Sequence, residues 1–254
     1  MPSSEQRQGL DVTDVTVSYD EVAALSGVSM QVRHHEIVGV IGPNGAGKST
    51  LLDVVCGVRK PDSGRVAWAG RRISRTKPHQ LGALGIARVR QHPVLDEDVS
   101  ILTNVLAGSE RRERSGLFPR KEAGSHTSPA LVERARELLR AVGALEYADD
   151  LPREVPWATR GRVHLAKALI TEPELVVLDE PGAGLSGPEV AELGRILRGL
   201  TRRTTFLLVD HRMDLVLQVC DQVHVLVAGR ILATGTPEQI RADPDVQSAY
   251  LHED

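Results

Sequence analysis

Residues 37–52, IVGVIGPNGAGKSTLL, decide the fold of this chain. The run at 37–41 is apolar and mostly β-branched, which predicts a buried parallel strand. A glycine-rich turn follows at 42–47, and Lys48 opens a predicted helix. This order of strand, turn and helix is the context in which G-x-x-x-x-G-K-[ST] forms a phosphate-binding P-loop. We therefore predict a nucleoside triphosphate site; the alternative is a surface glycine turn between a strand and a helix.

The residue types in this turn suit the binding of phosphate groups. Glycines let bare backbone approach an anion, and the N–H groups of that backbone then point at the phosphates. The start of the helix adds the positive end of its dipole. A lysine supplies a flexible positive charge for the β- and γ-phosphates, and a serine hydroxyl suits Mg²⁺. The predicted nucleotide-binding residues of the loop are Asn44, Gly45, Ala46, Gly47, Lys48, Ser49 and Thr50, and Ser49 is also a predicted metal ligand.

The composition of the chain is that of an ordinary globular protein. Of its 254 residues, 41% are hydrophobic and 26% are charged, and this length suits one large domain or two modest ones. The net charge of −3 at pH 7 gives no reason to expect nucleic acid as a partner. Cys56 and Cys220 are far apart and lack metal-ligand spacing, so we expect buried free thiols in a reducing compartment.

Membrane association is not expected from the chain itself. Its first residues, MPSSEQRQGLD, are polar and lack the apolar region of a secretory signal. The longest apolar runs, near Leu175 and Phe206, are the size of a strand, whereas a membrane span requires about 18 apolar residues. We therefore expect any role at a membrane to depend on a partner.

Strands alternate with helices along most of the chain. Because the alternation surrounds a P-loop, we predict an α/β fold of the P-loop NTPase (RecA-like) class, with a mainly parallel sheet and helices on both faces. Strand patterns before the P-loop and at 65–73 predict an N-terminal antiparallel β part, and the central stretch predicts an inserted α-helical subdomain. The expected units are a nucleotide-binding core at 1–91 and 172–240, the helical subdomain at 92–171, and a C-terminal tail at 241–254.

The middle of the chain carries three local expectations. Helical spacing is predicted to continue to about Arg153 and to resume at 160–170. The stretch 108–128 is polar, arginine-rich and without periodicity, so we expect a solvated loop there. An amphipathic helix over 131–142 is expected to end at Gly143.

Polar or aromatic residues stand at the ends of several predicted strands. In chain order they are Tyr19, Gln91, Asp179 with Glu180, and His211. Taken singly, the tyrosine is either an ordinary half-buried strand residue or an aromatic that stacks on the nucleotide base, and the glutamine is an ordinary solvated loop residue. Two carboxylates at the end of a buried strand are less ordinary, because such groups are seldom buried unless a cation meets them.

The order of these motifs around the P-loop points to one family. A tyrosine, GPNGAGKST, a glutamine, LVVLDEP and a histidine follow one another along the chain. This set closely resembles the ATP-binding subunit of ABC transporters, and the resemblance covers nearly the whole chain. It implies an ATPase that couples ATP hydrolysis to transport, with ATP and Mg²⁺ at its site.

The same resemblance implies a role for each motif residue. Tyr19 would stack on adenine, and Gln91 would reach Mg²⁺ and the attacking water. Asp179 would hold Mg²⁺ through water, and His211 would bond the γ-phosphate. Glu180 would act as general base on the water, a role typically worth about 10²–10⁴ in rate. The implied catalytic residues are Glu180, His211 and Gln91, and the implied metal ligands are Ser49, Gln91 and Asp179.

Three segments resemble the ATP-binding subunits of branched-chain amino acid importers. They are SGLF within the polar insertion, VLVAGRILATGTPEQI, and the ending DPDVQSAYLHED. Such subunits work in pairs beneath transmembrane permease subunits. An extracytoplasmic solute-binding protein delivers the solute to those permease subunits. The resemblance therefore implies uptake of amino acids or a similar small solute, and a location at the cytoplasmic face of the cell membrane.

The chain departs from the family pattern at two places. The family signature, LSGGQ, is replaced by VPWAT at 155–159. Pro156 lacks an N–H, and Trp157 places an indole where phosphate would approach bare backbone. Thr159 keeps a hydroxyl, and the ordinary interpretation of this residue is a cap of the following helix. Ser186 stands where the family usually has aspartate. Both segments belong to the subunit interface in the family, so a heterodimer with a second ATP-binding subunit is favoured over a homodimer.

Two other functions stay open on the sequence. A soluble ABC ATPase of repair or translation would favour two fused cassettes, a long coiled-coil insertion or a basic arm, and the sequence contains none of them. A nucleotide-binding regulatory cassette with little turnover is also compatible with the VPWAT segment. A turnover assay with and without a partner cassette separates this regulatory function from that of an enzyme.

Overall fold

A computed structural model describes residues 9–113 and 128–251 of the chain. Its ten strands, in chain order, are β1 Leu10–Tyr19, β2 Val22–Val32, β3 Ile37–Ile41, β4 Ser63–Trp68, β5 Arg71–Arg72, β6 Ile86–Val89, β7 Leu175–Asp179, β8 Thr205–Val209, β9 Gln222–Val227 and β10 Arg230–Gly235. They form two sheets: an antiparallel sheet in the order β2-β1-β4-β5, and a six-stranded sheet in the order β10-β9-β3-β8-β7-β6.

The six-stranded sheet is parallel except for the pairing of β9 with β10. All five residues of β3 are buried, as its apolar sequence predicts. Successive side chains of a strand point to opposite faces, so Ile37 and Ile41 join one apolar cluster while Val38 and Val40 join the other. A sheet buried on both faces confirms the predicted α/β fold class with its N-terminal antiparallel part.

Along the chain, most helices of the described residues connect one strand to the next. They are α1 Lys48–Val55, α2 Pro78–Leu81, α3 Ile101–Glu113, α4 Pro129–Ala141, α5 Trp157–Leu169, α6 Gly187–Leu200, α7 Met213–Val219, α8 Pro237–Ala242 and α9 Pro244–Leu251. Every described helix falls short of the length and apolar character needed to span a membrane. Between β6 and β7 the described elements are all helical, although the predicted boundaries at 92 and 171 stay a prediction.

Two helix predictions need correction. The helical signal does not continue to Arg153: α4 ends before Gly143, whose φ of +66° favours glycine, and only two short 3₁₀ turns follow, at Leu145–Tyr147 and Pro152–Glu154. The next helix begins at Trp157 rather than at residue 160. Pro156, with φ of −53°, is already shaped for a helix start, so the helix begins directly after it.

The stretch predicted to be a solvated loop, 108–128, is also different where the structure describes it. Its first part is helical, because α3 continues to Glu113. Residues 114–127, including SGLF at 115–118, lie outside the described residues, and Ser128 caps α4. The predicted C-terminal tail begins within α8, and its last three residues are likewise outside the described range.

Both cysteines are buried and free, as predicted. Burial raises the pKa of the Cys56 thiol to about 12 and also raises the pKa of Cys220. Thiols that stay protonated in this way are poor nucleophiles and poor metal ligands. Neither cysteine is therefore a candidate for chemistry.

Candidate nucleotide-binding and catalytic site

The P-loop joins β3 to α1 with a backbone shape that only glycine adopts easily. Gly47 has φ of +103°, and a Cβ on it would lie 2.4 Å from the carbonyl oxygen of Ala24 on β2. Any other residue at position 47 would clash with that carbonyl. The carbonyl of Gly47 accepts the N–H of Leu51 at 2.9 Å, which closes the first turn of α1. The antiparallel sheet thus fits closely against the start of the P-loop helix.

Lys48 lies over the loop that precedes it. Its side chain is almost fully buried, and Nζ donates to the carbonyl oxygens of Gly42 at 2.5 Å and Pro43 at 2.8 Å. These two hydrogen bonds hold its ammonium group against the first two residues of the glycine-rich turn. Asn44, Gly45 and Ser49 are exposed, Gly47 and Thr50 are partly exposed, and Ala46 is buried.

The parallel strands bring three of the predicted catalytic side chains together. Glu180 directly follows β7, Gln91 follows β6, and His211 follows β8, and these strands are neighbours in the sheet. Glu180 Oε2 accepts a hydrogen bond from Gln91 Nε2 at 2.9 Å and lies 3.7 Å from His211 Nδ1. Gln91 and His211, which lie 120 positions apart in the chain, therefore approach the same carboxylate oxygen of Glu180.

The backbone at Glu180 is held in an unusual conformation. Its φ of +47° is in the left-handed region, which costs a non-glycine residue on the order of 1–3 kcal/mol. The Glu180 N–H donates to the carbonyl of Val209 at 2.7 Å, and its carbonyl accepts the N–H of Ala183 at 3.1 Å. These bonds turn the chain sharply after β7. Strain of this kind is common at functional sites.

Asp179 has a cationic partner that sequence reasoning missed. Its Oδ2 accepts a hydrogen bond from Arg88 Nη2 at 2.7 Å, and Arg88 Nη1 donates to Asp53 Oδ1 at 2.9 Å. Burial lowers the pKa of Arg88, but the hydrogen bonds to Asp179 and Asp53 outweigh burial, so the pKa lies above its ordinary value. The arginine therefore stays charged. One signal was available: an arginine within the apolar strand IARV needs a partner.

The loop after Glu180 is tied to both neighbours of His211. Asp210 is fully buried, and its Oδ2 accepts the N–H of Gly182 at 2.8 Å. The guanidinium of Arg212 donates to the carbonyl of Leu185 in the same loop. These contacts tie the 181–186 loop to the residues on either side of His211, and nothing in the sequence motif had singled out Asp210 or Arg212.

Tyr19 lies at the end of β1, in the antiparallel sheet. Its side chain is exposed, and the guanidinium carbon of Arg59 lies 3.9 Å from the ring centroid. Arg59 Nη2 also donates to the carbonyl of Ser18 at 2.6 Å. This cation–π contact holds one face of the ring. Tyr19 thus contacts Arg59 and is not part of the group formed by Glu180, Gln91 and His211.

The segment at the signature position differs from the prediction in one respect. Thr159 does not cap α5: it lies within the first turn, is buried, and its Oγ1 accepts from Arg162 Nη2 at 2.8 Å. Pro156 occupies the cap position and has no side-chain hydrogen bond to offer. Trp157 is half exposed, and its ring packs edge-on against the ring of His92, with 6.3 Å between the centroids. The indole also lies close to Gly184: a Cβ added to that glycine would be 3.8 Å from Trp157 Nε1.

A cavity of about 50 Å³ lies where three of these segments meet. Its lining includes Gln91, Trp157 and Pro181, so the signature position, the glutamine and the loop after Glu180 line one cavity.

Ser186, at the end of the loop after Glu180, caps α6. Its backbone N–H donates to Glu189 Oε2 at 2.7 Å, and its hydroxyl donates to the same oxygen at 2.6 Å. The serine thus has a local structural role in this chain.

A P-loop that follows β3, with carboxylate, amide and imidazole groups that follow parallel strands of the same sheet, defines a P-loop nucleotide-hydrolysing protein. The profile described as ABC transporter matches residues 25–183, and the profile described as branched-chain amino acid ATP-binding cassette transporter matches residues 230–251. The chain belongs to the ABC transporter family; it is an ATP-binding cassette and an ATPase of that family.

Similar proteins cover nearly the whole chain. The high-affinity branched-chain amino acid transport ATP-binding protein LivG of Salmonella typhimurium is 34% identical over 96% of this chain and 98% of its own length. The corresponding protein BraF of Pseudomonas aeruginosa is 32% identical over 96% of this chain and 98% of its own length. The ADP conformation of MJ1267, an ATP-binding cassette of an ABC transporter, superposes with a TM-score of 0.85 at 29% identity, covering 97% of this chain and 99% of that one.

Proposed function

We propose that this chain is the ATP-hydrolysing subunit of an ABC importer for branched-chain amino acids or a similar small solute. Two findings support the proposal: the similarity to LivG and BraF runs over nearly the full chain, and the segment from β10 through α9 matches a profile of branched-chain amino acid transporters. The observation that carries the hydrolytic part is the contact of Glu180 with both Gln91 and His211.

In this proposal Glu180 is the general base. A water positioned by its carboxylate would attack the γ-phosphate in line, and phosphoryl transfer needs such positioning and charge neutralisation more than a covalent nucleophile. Gln91, bonded to the same oxygen, orients the water, and His211 bonds the γ-phosphate. Lys48 neutralises the β- and γ-phosphates, while backbone N–H groups of the loop from Asn44 to Thr50 cradle them.

The residues available suit Mg²⁺. In the described part of the chain no three His, Cys, Asp or Glu side chains converge as a dedicated metal cage. Mg²⁺ commonly binds through one or two carboxylates, substrate phosphates and waters, which requires no such cage. Asp179, Ser49 and Gln91 would hold the ion, which supplies charge neutralisation at the phosphates when bound.

The proposed base-stacking residue is Tyr19. Because Arg59 covers one face of its ring, adenine would stack on the other face. The unit boundaries predicted from the sequence also belong to this proposal: a nucleotide-binding core at 1–91 and 172–240, a helical subdomain at 92–171, and a C-terminal tail at 241–254.

We expect Lys48→Ala to weaken MgATP binding about ten- to hundredfold. The change removes the ammonium that neutralises the phosphates, and charge-assisted bonds of this kind are the strong ones in such sites. Isothermal titration calorimetry on the purified chain measures the loss. Lys60→Ala, at an exposed lysine beyond α1, is the matched control and is expected to bind like the parent. Unchanged MgATP affinity in Lys48→Ala would remove the P-loop from the proposed site.

The proposed partners are transmembrane permease subunits, a second ATP-binding subunit and, indirectly, an extracytoplasmic solute-binding protein. The chain would sit peripherally at the cytoplasmic face of the cell membrane. We expect a tagged chain, purified from its native membrane in mild detergent, to bring two permease subunits and a second cassette with it, identified by mass spectrometry. Recovery of the chain alone, or with nucleic-acid-processing proteins, would contradict the importer and favour a soluble ABC ATPase.

A further inference from the structure

Arg88 joins two carboxylates that belong to different parts of the fold. Its guanidinium donates to Asp53 Oδ1 on α1 and to Asp179 Oδ2 at the end of β7, at 2.9 and 2.7 Å. The side chains of Arg88 and Asp179 are each 19% exposed. Because α1 is the helix that the P-loop opens, this pair of bonds links the phosphate-binding helix to the carboxylate proposed for Mg²⁺. We call these three residues the Arg88 cluster.

The charges of the Arg88 cluster leave it attractive to a cation. Two carboxylates and one guanidinium carry a net charge of about −1. An isolated pair of Arg88 and Asp179 would be neutral, so Asp53 preserves the negative charge that a divalent ion requires. The guanidinium engages Oδ2 of Asp179, which leaves the second carboxylate oxygen to serve a metal or its bound water.

We propose that Arg88 is a positioning residue for the Mg²⁺ site. It holds the Asp179 carboxylate in the orientation that serves the metal and, through Asp53, fixes that carboxylate relative to the P-loop helix. Hydrogen-bonded partners of metal-binding carboxylates commonly change metal affinity ten- to hundredfold when removed. Without Arg88, the two carboxylates would repel each other, and Asp179 would turn away. This inference rests on the proposed role of Asp179.

The test compares nucleotide affinity with and without the metal. Calorimetry gives the Kd for ADP in excess EDTA and in excess Mg²⁺, and the ratio of the two is the metal's contribution. We expect Arg88→Ala to lower this ratio about tenfold while the Kd in EDTA stays within about twofold. Arg88→Lys keeps the charge but cannot bridge two carboxylates as a fork, so we expect a partial rescue. Arg65→Ala, at an exposed arginine of β4, is the control.

A double-mutant cycle shows whether Arg88 acts through Asp179. Asp179→Asn should lower the ratio at least as far as Arg88→Ala, and the double variant should lose nothing further. A ratio that stays the same or rises in Arg88→Ala overturns the inference, since Arg88 would then be a structural ion pair or a competitor of the metal. If Asp179→Asn itself leaves the ratio unchanged, the proposed metal ligand is wrong instead. Thermal melting confirms that each variant is folded.

Discussion

Glu180→Gln should bind MgATP like the parent while losing hydrolysis about 10²–10⁴-fold, equivalent to about 3–5 kcal/mol of transition-state stabilisation. The amide keeps the shape of the side chain, and its oxygen can still accept the bond from Gln91 Nε2. It cannot take a proton from water, so the chemical step fails while binding does not. The measurement is steady-state ATPase activity of the complex purified from its native membrane, together with calorimetric binding.

The matched control for this prediction is Glu133→Gln, at an exposed glutamate of α4, which should hydrolyse ATP at the parental rate. A second readout is assembly, because a cassette that binds ATP without cleaving it should stay in its nucleotide-bound pair for longer. Size-exclusion chromatography in ATP detects that pair. Substantial steady-state hydrolysis by the Glu180→Gln complex would remove Glu180 from the role of base.

The sequence was most informative where function is carried by contiguous residues. The P-loop needs a strand, a glycine turn and a lysine in direct succession, so the stretch 37–52 predicts its own structure. The alternation of strands and helices likewise predicts a parallel sheet, and a parallel sheet brings the residues after β6, β7 and β8 to one edge.

What escaped prediction depends on pairs that are distant in sequence. The guanidinium of Arg88 meets residues 35 and 91 positions away, and only the fold reveals that arrangement. The sequence did indicate that Asp179 must meet a cation, and we assigned that role to Mg²⁺ alone. The structure adds Arg88 as a second cation on the same carboxylate.

The wrong prediction for Thr159 has a local cause. A threonine near a helix start is a good cap, but Pro156 begins the helix earlier and moves Thr159 into its first turn. There its hydroxyl accepts from Arg162 instead. Trp157 then becomes the first helical residue, with its indole half exposed beside Gly184.

This position of Trp157 bears on the pairing of subunits. In the family, the signature loop of one subunit offers a serine hydroxyl and glycine N–H groups to the γ-phosphate bound by the other. We propose that a homodimer of this chain would lack those donors at both sites. Loss of one preorganised donor costs about 3–4 kcal/mol of transition-state stabilisation in other enzymes. The purified chain is therefore expected to hydrolyse ATP slowly, and a partner with a regular signature would restore one site only.

Restoring the signature should then activate the purified chain. We expect Pro156→Ser, Trp157→Gly and Ala158→Gly together to raise its ATPase rate by about 10²-fold, because serine and two glycines return the missing donors. Trp157→Ala alone removes the indole but keeps Pro156 without an N–H, so it should recover only a part. The triple variant combined with Glu180→Gln should pair in ATP without turnover, which separates assembly from chemistry.

In the native complex the same reasoning predicts unequal sites. The site built on Lys48, Asp179, Glu180 and His211 of this chain would face the partner's signature and be competent. The other site, facing Pro156 and Trp157, would bind ATP and mostly retain it. Glu180→Gln in this chain should therefore abolish most hydrolysis, whereas the matching change in the partner should remove little. Equal losses from the two changes, or full activity of the purified parent chain, would contradict the asymmetric pair and return the homodimer to consideration.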